Sequence, residues 1–348
     1  MKPTITFILI AALVLCLPLA EGRTEDAGPV VYKVRLASVI NPVTADFVTS
    51  SLDDANDQQG RAFLLELDTP GGLDSSMRAI IQGIFASDLP VIVYVSPSGA
   101  RAASAGALIT LAADFAVMAP GTNIGAAHPV AIGMGGGEQN ETMKKKAVSD
   151  AVAYARSIAQ KRGRNVEWAE RIVRESLSSS AADALDKKVI DLVADSRADM
   201  LQELDGRRYL RNGEEARLDV AGAEISPLTM NWRQRVLDTI SNPTVAYLLM
   251  MLGVLGIFFE ISQPGVILPG AVGAIALLLA FFAFQMLPVN YAGVLLVLLG
   301  VILFILEIKV TSFGMLTVGG IVSLSLGSLM LIESSEPYLQ ISKAVIAA

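Results

Sequence analysis

Short apolar runs alternate with segments of helical spacing along the first two thirds of the chain. Val31 to Ile40 is rich in β-branched residues and predicts a strand, and Pro42 opens a helix through Asp57. Ala62 to Leu67 and Val91 to Val95 are continuous apolar runs, the pattern of strands buried on both faces. Leu73 to Ala86 and Ser104 to Ala113 have helical spacing, Phe115 to Met118 is another short strand, and Pro120 to Gly125 is a loop. Met143 to Arg162 predicts a long helix, followed by a second reaching Glu175, a short helix over Ala181 to Val189 and a strand over Ile190 to Ala194. Such alternation indicates an α/β domain with a mainly parallel sheet, here assigned to residues 23–200. Residues 201–242 are charged and irregular and read as a connector with a small hairpin. Gly133 to Gln139 is glycine-rich and reads as a mobile loop, either a flap over the site or a plain linker.

After Pro243 the pattern changes. Val245 to Ile261, Gly270 to Leu287, Ala292 to Ile308 and Phe313 to Ile332 are apolar runs of spanning or near-spanning length. The links between them are short enough only for tight hairpins. Four such runs in succession favour a transmembrane bundle over residues 243–333 rather than buried core helices, with a tail over 334–348. Gly253, Gly256, Gly314, Gly319 and Gly320 allow close helix approach. Glu260 and Glu307 end the first and third runs and read as interfacial carboxylates in contact with water, with a functional role as the alternative.

The N-terminus adds a compartment. Met1-Lys2 followed by Ile5 to Leu19 is a charged start and a short apolar core, too short for a comfortable span, so residues 1–22 are read as a signal peptide. Whether cleaved or kept as an anchor, it exports the α/β domain behind it. That domain is then expected outside the cytoplasm, beside a multi-pass region in the cell membrane. Lys309 on an inner link agrees with the positive-inside rule; Arg233 and Arg235, just before the first run, disagree.

Composition removes several classes of chemistry. The net charge is −7 and no basic aromatic patch stands out, which argues against nucleic-acid binding. Cys16 is the one cysteine and lies in the leader, so a mature chain has no thiol for a disulfide, a zinc thiolate or a nucleophile. No metal-ligand cluster or phosphate loop is present, and no metal or cofactor is expected.

What remains is acyl transfer. Ser104 lies among small residues, Ala102-Ala103-Ser104-Ala105-Gly106, at the start of a predicted helix, where a substrate carbonyl meets little obstruction. Gly71 and Gly72 follow a strand end and, with Ala105, are candidate oxyanion donors through their backbone N–H groups. A lysine base is more natural than histidine in a chain with a single His. Lys146 lies 146 − 104 = 42 residues downstream, and the following Ala147-Val148 suggests an inward face, with Lys144 and Lys145 solvated. His128, beside Pro129, reads as a loop or substrate-pocket residue with Asn123, and as a rival base. Asp68 and Asp114 are helpers or, more simply, turn caps.

Four segments, Leu67-Asp68-Thr69-Pro70-Gly71-Gly72-Leu73, Ala103-Ser104-Ala105-Gly106, Met118 to Pro129 and Ser157 to Asn165, resemble the NfeD-type membrane-bound serine proteases. These belong to the ClpP/crotonase-fold class that includes signal peptide peptidase A. The resemblance implies a Ser-Lys dyad with Ser104 as nucleophile and, counting back from the Ser157 segment, Lys146 as base, with Lys145 in reserve. It implies a membrane-bound serine endopeptidase that cleaves apolar segments of stomatin- or flotillin-like proteins and forms dimers or larger assemblies. The alternatives are a non-catalytic scaffold for a stomatin-like partner and a signal-peptide-degrading peptidase. Long family members also carry a small β-barrel of OB type, which is not expected in the residues up to Ala348.

Overall fold

The computed structural model describes residues 29–129, 138–211, 213–263, 265, 267–285, 287, 289–310, 313–332, 341, 342 and 345. The signal-peptide assignment, residues 133–137 of the glycine-rich loop and most of the tail lie outside these.

Six parallel strands build the central sheet, in the order β11-β1-β2-β3-β5-β8. They are β1 (Val30–Leu36), β2 (Ala62–Leu67), β3 (Val91–Val95), β5 (Phe115–Met118), β8 (Leu192–Val193) and β11 (Glu224–Pro227). Alternate residues feed two cores. Phe63, Leu65 and Leu67 enter one with Val91, Val93 and Val95, and Ala62, Leu64, Ile92 and Tyr94 enter the other. Burial on both faces is why these strands read as unbroken apolar runs. The first core is covered by α1 (Pro42–Asp57), α2 (Asp74–Ala86), α3 (Ala105–Ala112), α4 (Glu138–Lys161) and α5 (Val166–Arg174). α1 is started by Asn41, whose side chain accepts from Thr44 N in a capping box, with Pro42 in the first turn.

The segment read as a connector contributes to the sheet. After α6 (Ala181–Asp186) and α7 (Arg197–Leu204), β9 (Arg208–Arg211) and β10 (Glu214–Arg217) form the expected hairpin, and β11 then pairs with β1. Asp114, fully buried, holds Arg162 at the end of α4 and Arg211 of the hairpin, while Arg164 pairs with Asp191. Burial pulls the Arg162 guanidinium below its ordinary range, opposed by Asp114. A second small sheet, β4 (Arg101–Ala103), β6 (Asn123–Gly125) and β7 (Ser178–Ser180), sits beside the ends of β2 and β3. The loop expected at Pro120 to Gly125 therefore ends in a strand.

A helical region comes next: α8 (Trp232–Ile240), α9 (Pro243–Ser262), α10 (Leu268–Phe284), α11 (Tyr291–Lys309) and α12 (Met315–Met330). Among the described residues α9, with 20 residues and mean hydropathy 2.1, is long and apolar enough to cross a membrane, while the other three carry shorter apolar stretches. α9 packs on α10 and α11 on α12 as two hairpins. The hairpins are copies of one unit: Gly253, Glu260, Gly273 and Leu277 recur as Gly300, Glu307, Gly320 and Leu324, each 300 − 253 = 47 residues on. A Cβ at Gly253 would lie 2.8 Å from Gly273 O, and one at Gly300 would lie 2.9 Å from Gly320 O. Both glutamates reach across their hairpin turn. Glu307 accepts from Gly314 N and Thr317 N at 3.0 and 3.2 Å, and Glu260 from Gly265 N at 3.4 Å. Glu307 thus ties the start of α12, and Glu260 the turn before α10.

Candidate active site

The site begins at a forced turn. Ser104 joins β4 to α3 with φ 52° and ψ −117°, a region that residues with a Cβ seldom occupy. Its N–H donates to Gly125 O at 2.9 Å, and its carbonyl accepts from Ala107 N at 3.0 Å. The turn holds the half-buried side chain clear of the fully buried α3.

The Asp68–Leu73 segment runs alongside, held on both flanks. On one side Thr69 N donates to Arg101 O at 2.7 Å and Ala103 N to Thr69 O at 3.1 Å, while Asp68 accepts from Arg101 N at 3.1 Å. On the other, Ile40 N donates to Gly71 O at 2.8 Å and Leu73 N to Ile40 O at 2.9 Å. Both glycines are required. Gly71 has φ +116°, and a Cβ there would lie 2.6 Å from Ser104 Cβ and 3.2 Å from its Oγ; a Cβ at Gly72 would overlap the Ile40 carbonyl.

The candidate oxyanion donors separate. The Gly71 N–H already donates to Thr69 Oγ1 at 3.1 Å. The Gly72 and Ala105 amides have no acceptor among the described residues, and Ala105 opens α3, where the helix dipole adds to its pull on an anion. Sequence reasoning misses Thr69, Ile40 and the Gly125 carbonyl. Of these, only Thr69 carries a signal, as a hydroxyl two residues before a glycine in a turn.

α4 delivers the lysines to the same edge of the sheet. Arg162, just past its end, donates to Ala112 O at 2.7 Å and to Asp114, at the N-terminal ends of the strands. At its middle, Asp150 accepts from Arg78 at 2.5 Å, and Arg78 also holds Asp74, in the first turn of α2 just after Gly72, at 2.7 Å. About 24 Å of helix separates Lys146 from Arg162, so Lys146 lies toward the C-terminal ends of the strands, where Ser104 is. The inward face expected for Lys146 is not realised. The buried stripe is Val152, Ala155, Ile158 and Ala159, and its helical register runs back to Lys144, leaving Lys146 on the opposite side. Lys144, Lys145 and Lys146 are all exposed, and Lys144 lies 3.7 Å from Glu141. No described contact joins Lys146 to Ser104.

His128 is exposed, with Nδ1 2.8 Å from Val173 O on α5, and Asn123 is exposed on β6. Neither is joined to Ser104 by a described contact. Asp114 belongs to the arginine cluster at the opposite end of the sheet and does not help Ser104. A cavity of about 580 Å³ there is lined by Phe115, Arg162, Arg208 and Tyr209, away from Ser104. Among the described residues no group of His, Cys, Asp or Glu has a metal-binding arrangement.

Two family models match the chain: "NfeD1b, N-terminal domain" over residues 30–206 and "NfeD integral membrane domain" over residues 244–348. The chain is 35% identical over 318 residues to the membrane-bound protease PH1510 of Pyrococcus horikoshii, covering 90% of this chain and 71% of that one. It is 31% identical over 343 residues to the membrane protein NfeD1b of Bacillus subtilis, covering 98% and 75%. Solved structures of the 1510-N membrane-bound stomatin-specific protease are similar in fold. A serine-to-alanine mutant matches with 33% identity and a TM-score of 0.54, over 58% of this chain and 99% of that one. A lysine-to-alanine mutant in complex with a substrate peptide matches with 31% identity and a TM-score of 0.56, over 61% and 97%. The α/β domain thus has the fold of a membrane-bound protease and is followed by a helical membrane region.

Proposed function

We propose, on the ground that this chain belongs to the NfeD family of membrane proteases, that it is a serine endopeptidase with Ser104 as nucleophile. The carrying observation is the strained Ser104 turn beside Gly71-Gly72, with the Gly72 and Ala105 amides lacking an acceptor among the described residues, the parts that attack and oxyanion stabilisation need. Lys146 is its base. The names of the related structures, one with a serine and one with a lysine changed to alanine, support pairing these residue types. Lys146 is exposed, so the dyad requires bound substrate to cover the start of α4 and exclude water from the lysine.

The substrate is an apolar segment of a membrane-associated protein of the stomatin class, as the related protease's name suggests. The repeat of the α9–α10 hairpin in α11–α12 supports all four helices crossing the membrane, since the second copy keeps the spacing of a unit whose first helix is long enough. The protease domain lies on the extracytoplasmic side.

The absence of a described Ser104–Lys146 contact favours a second reading, a scaffold that binds a stomatin-like partner without turnover. A fluorophosphonate probe on the full chain separates the two. Labelling lost in Ser104→Ala supports the protease; no labelling, or labelling unchanged in Ser104→Ala, refutes it.

A further inference from the structure

α8 exposes an apolar pair flanked by cations. Trp232 is 78% exposed and Val236 51% exposed, one turn apart, with exposed Arg233 and Arg235 on either side. The opposite face is held by the protein. Gln234 donates to Asp46 of α1 at 3.4 Å, and Asp238 is hydrogen-bonded to Asn41. The helix is set by a capping box between Asn231 and Gln234. Two residues separate it from α9, which Asn242 caps and Pro243 opens.

We propose that α8 lies on the bilayer surface, with Trp232 and Val236 in the boundary between headgroups and acyl chains and Arg233 and Arg235 against the phosphates of anionic lipid. Continuity with α9 identifies the occupant. A nine-residue helix is about 14 Å long, so when α9 crosses the membrane α8 stays within that distance of its surface. An apolar stripe with Trp on one side and Arg at its margins is the chemistry that this boundary selects. It also accounts for two arginines that the charge rule for loops leaves on the wrong side, since anionic headgroups attract them at either surface. The consequence for cleavage rests on the protease reading; the surface contact itself rests only on α9 spanning. Asn41 adjoins Ile40, which is bonded to Gly71 and Leu73, so α8 fixes the Ser104 edge at the membrane surface, where a substrate segment leaves the bilayer.

Tryptophan emission of the full chain, reconstituted in phosphatidylcholine–phosphatidylglycerol vesicles, tests this. The lipid carries bromine high on its acyl chain as a quencher. The other tryptophan, Trp168, is 3% exposed and bonded to Ser179 within the α/β domain. Bromolipid should quench the wild-type emission, and Trp232→Phe, a conservative change on an exposed site, should remove most of the quenchable part. Equal quenching in both proteins overturns the proposal. Quenching of Trp232 by aqueous iodide in place of bromolipid overturns it, as does shielding from both, which would mean a second copy or another protein covers α8. In the same vesicles, Trp232→Glu should lower cleavage of a membrane-tethered apolar peptide severalfold and leave a short soluble peptide unaffected. Loss of both cleavages in the wild type would count against the protease and leave the quenching result standing.

Discussion

Replacing Ser104 by glycine and by alanine separates the chemistry of the nucleophile from the strain that presents it. Both variants lose the hydroxyl and should lose hydrolysis of an apolar peptide. They differ in the Cβ, and at φ 52°, ψ −117° that atom is the source of the strain. This is the first position of a primed turn, which glycine occupies freely. Holding a residue with a Cβ there costs on the order of 1–3 kcal/mol. Glycine's greater freedom in the unfolded chain takes back about 0.4–1 kcal/mol. The balance predicts that Ser104→Gly is more stable than Ser104→Ala by about 1 kcal/mol, or ~2–4 °C in the unfolding midpoint of a domain of this size. Thermal unfolding of the two full-length variants in one detergent, followed by near-ultraviolet circular dichroism of the α/β domain, measures it. A glycine variant that melts with or below the alanine variant would refute the view that the fold holds Ser104 under strain.

Three further outcomes are expected. Lys146→Ala should lower kcat/KM roughly 10²–10⁴-fold, the usual worth of a positioned base, with Lys145→Ala near wild type; the reverse order moves the base by one residue. Asp114→Ala leaves Arg162 and Arg211 unpaired in the interior and should destabilise the domain by roughly 3–5 kcal/mol, and a loss under about 1 kcal/mol by denaturant titration would mean that water holds the cluster instead. Burial raises the Asp238 carboxyl above its ordinary range, against a hydrogen bond from Asn41. Its stabilising contribution is therefore full below the unfolded pKa and lost as pH rises through the folded one. Asp238→Asn should melt like wild type at low pH and above it at neutral pH, and a pH-independent difference would contradict this.

Burial on both faces made much of the sheet legible. Ala62–Leu67, Val91–Val95 and Phe115–Met118 have the limits that their apolar runs define, because each strand spans its buried width and stops. β6, β7 and β11 were not legible. Asn123–Gly125 and Ser178–Ser180 are three residues each and largely polar, and Glu224–Pro227 owes its place to pairing with β1, which lies almost two hundred residues earlier. That Ser104 lies among small residues could be read directly, and on the proposed reading this leaves a carbonyl room to approach. Its backbone angles could not, because they result from Gly125 and Thr69 closing in from either side. Lys146 misled for a local reason: Ala147-Val148 is apolar, but the face a helical residue takes is set by register with Val152 and Ala155 further along.

Helix direction explains why residues so far apart in sequence belong to one edge. In a parallel sheet each crossover helix starts near the C-terminal end of the strand before it, so the starts of the helices gather there with their exposed amides. α2 begins just past Gly72 and α3 at Ala105. α4 runs the same way: its middle meets α2 early, through Asp150 and Arg78, and Lys161 lies over the ring of Phe85, in the last turn of α2, 4.2 Å from its centroid. The start of α4 must then project at the edge that carries Ser104, whatever the loop before it does. Two amides and a strained hydroxyl result from packing within the domain. The lysine overhangs that edge in water, so in the proposed dyad its desolvation is the step that a bound substrate has to supply.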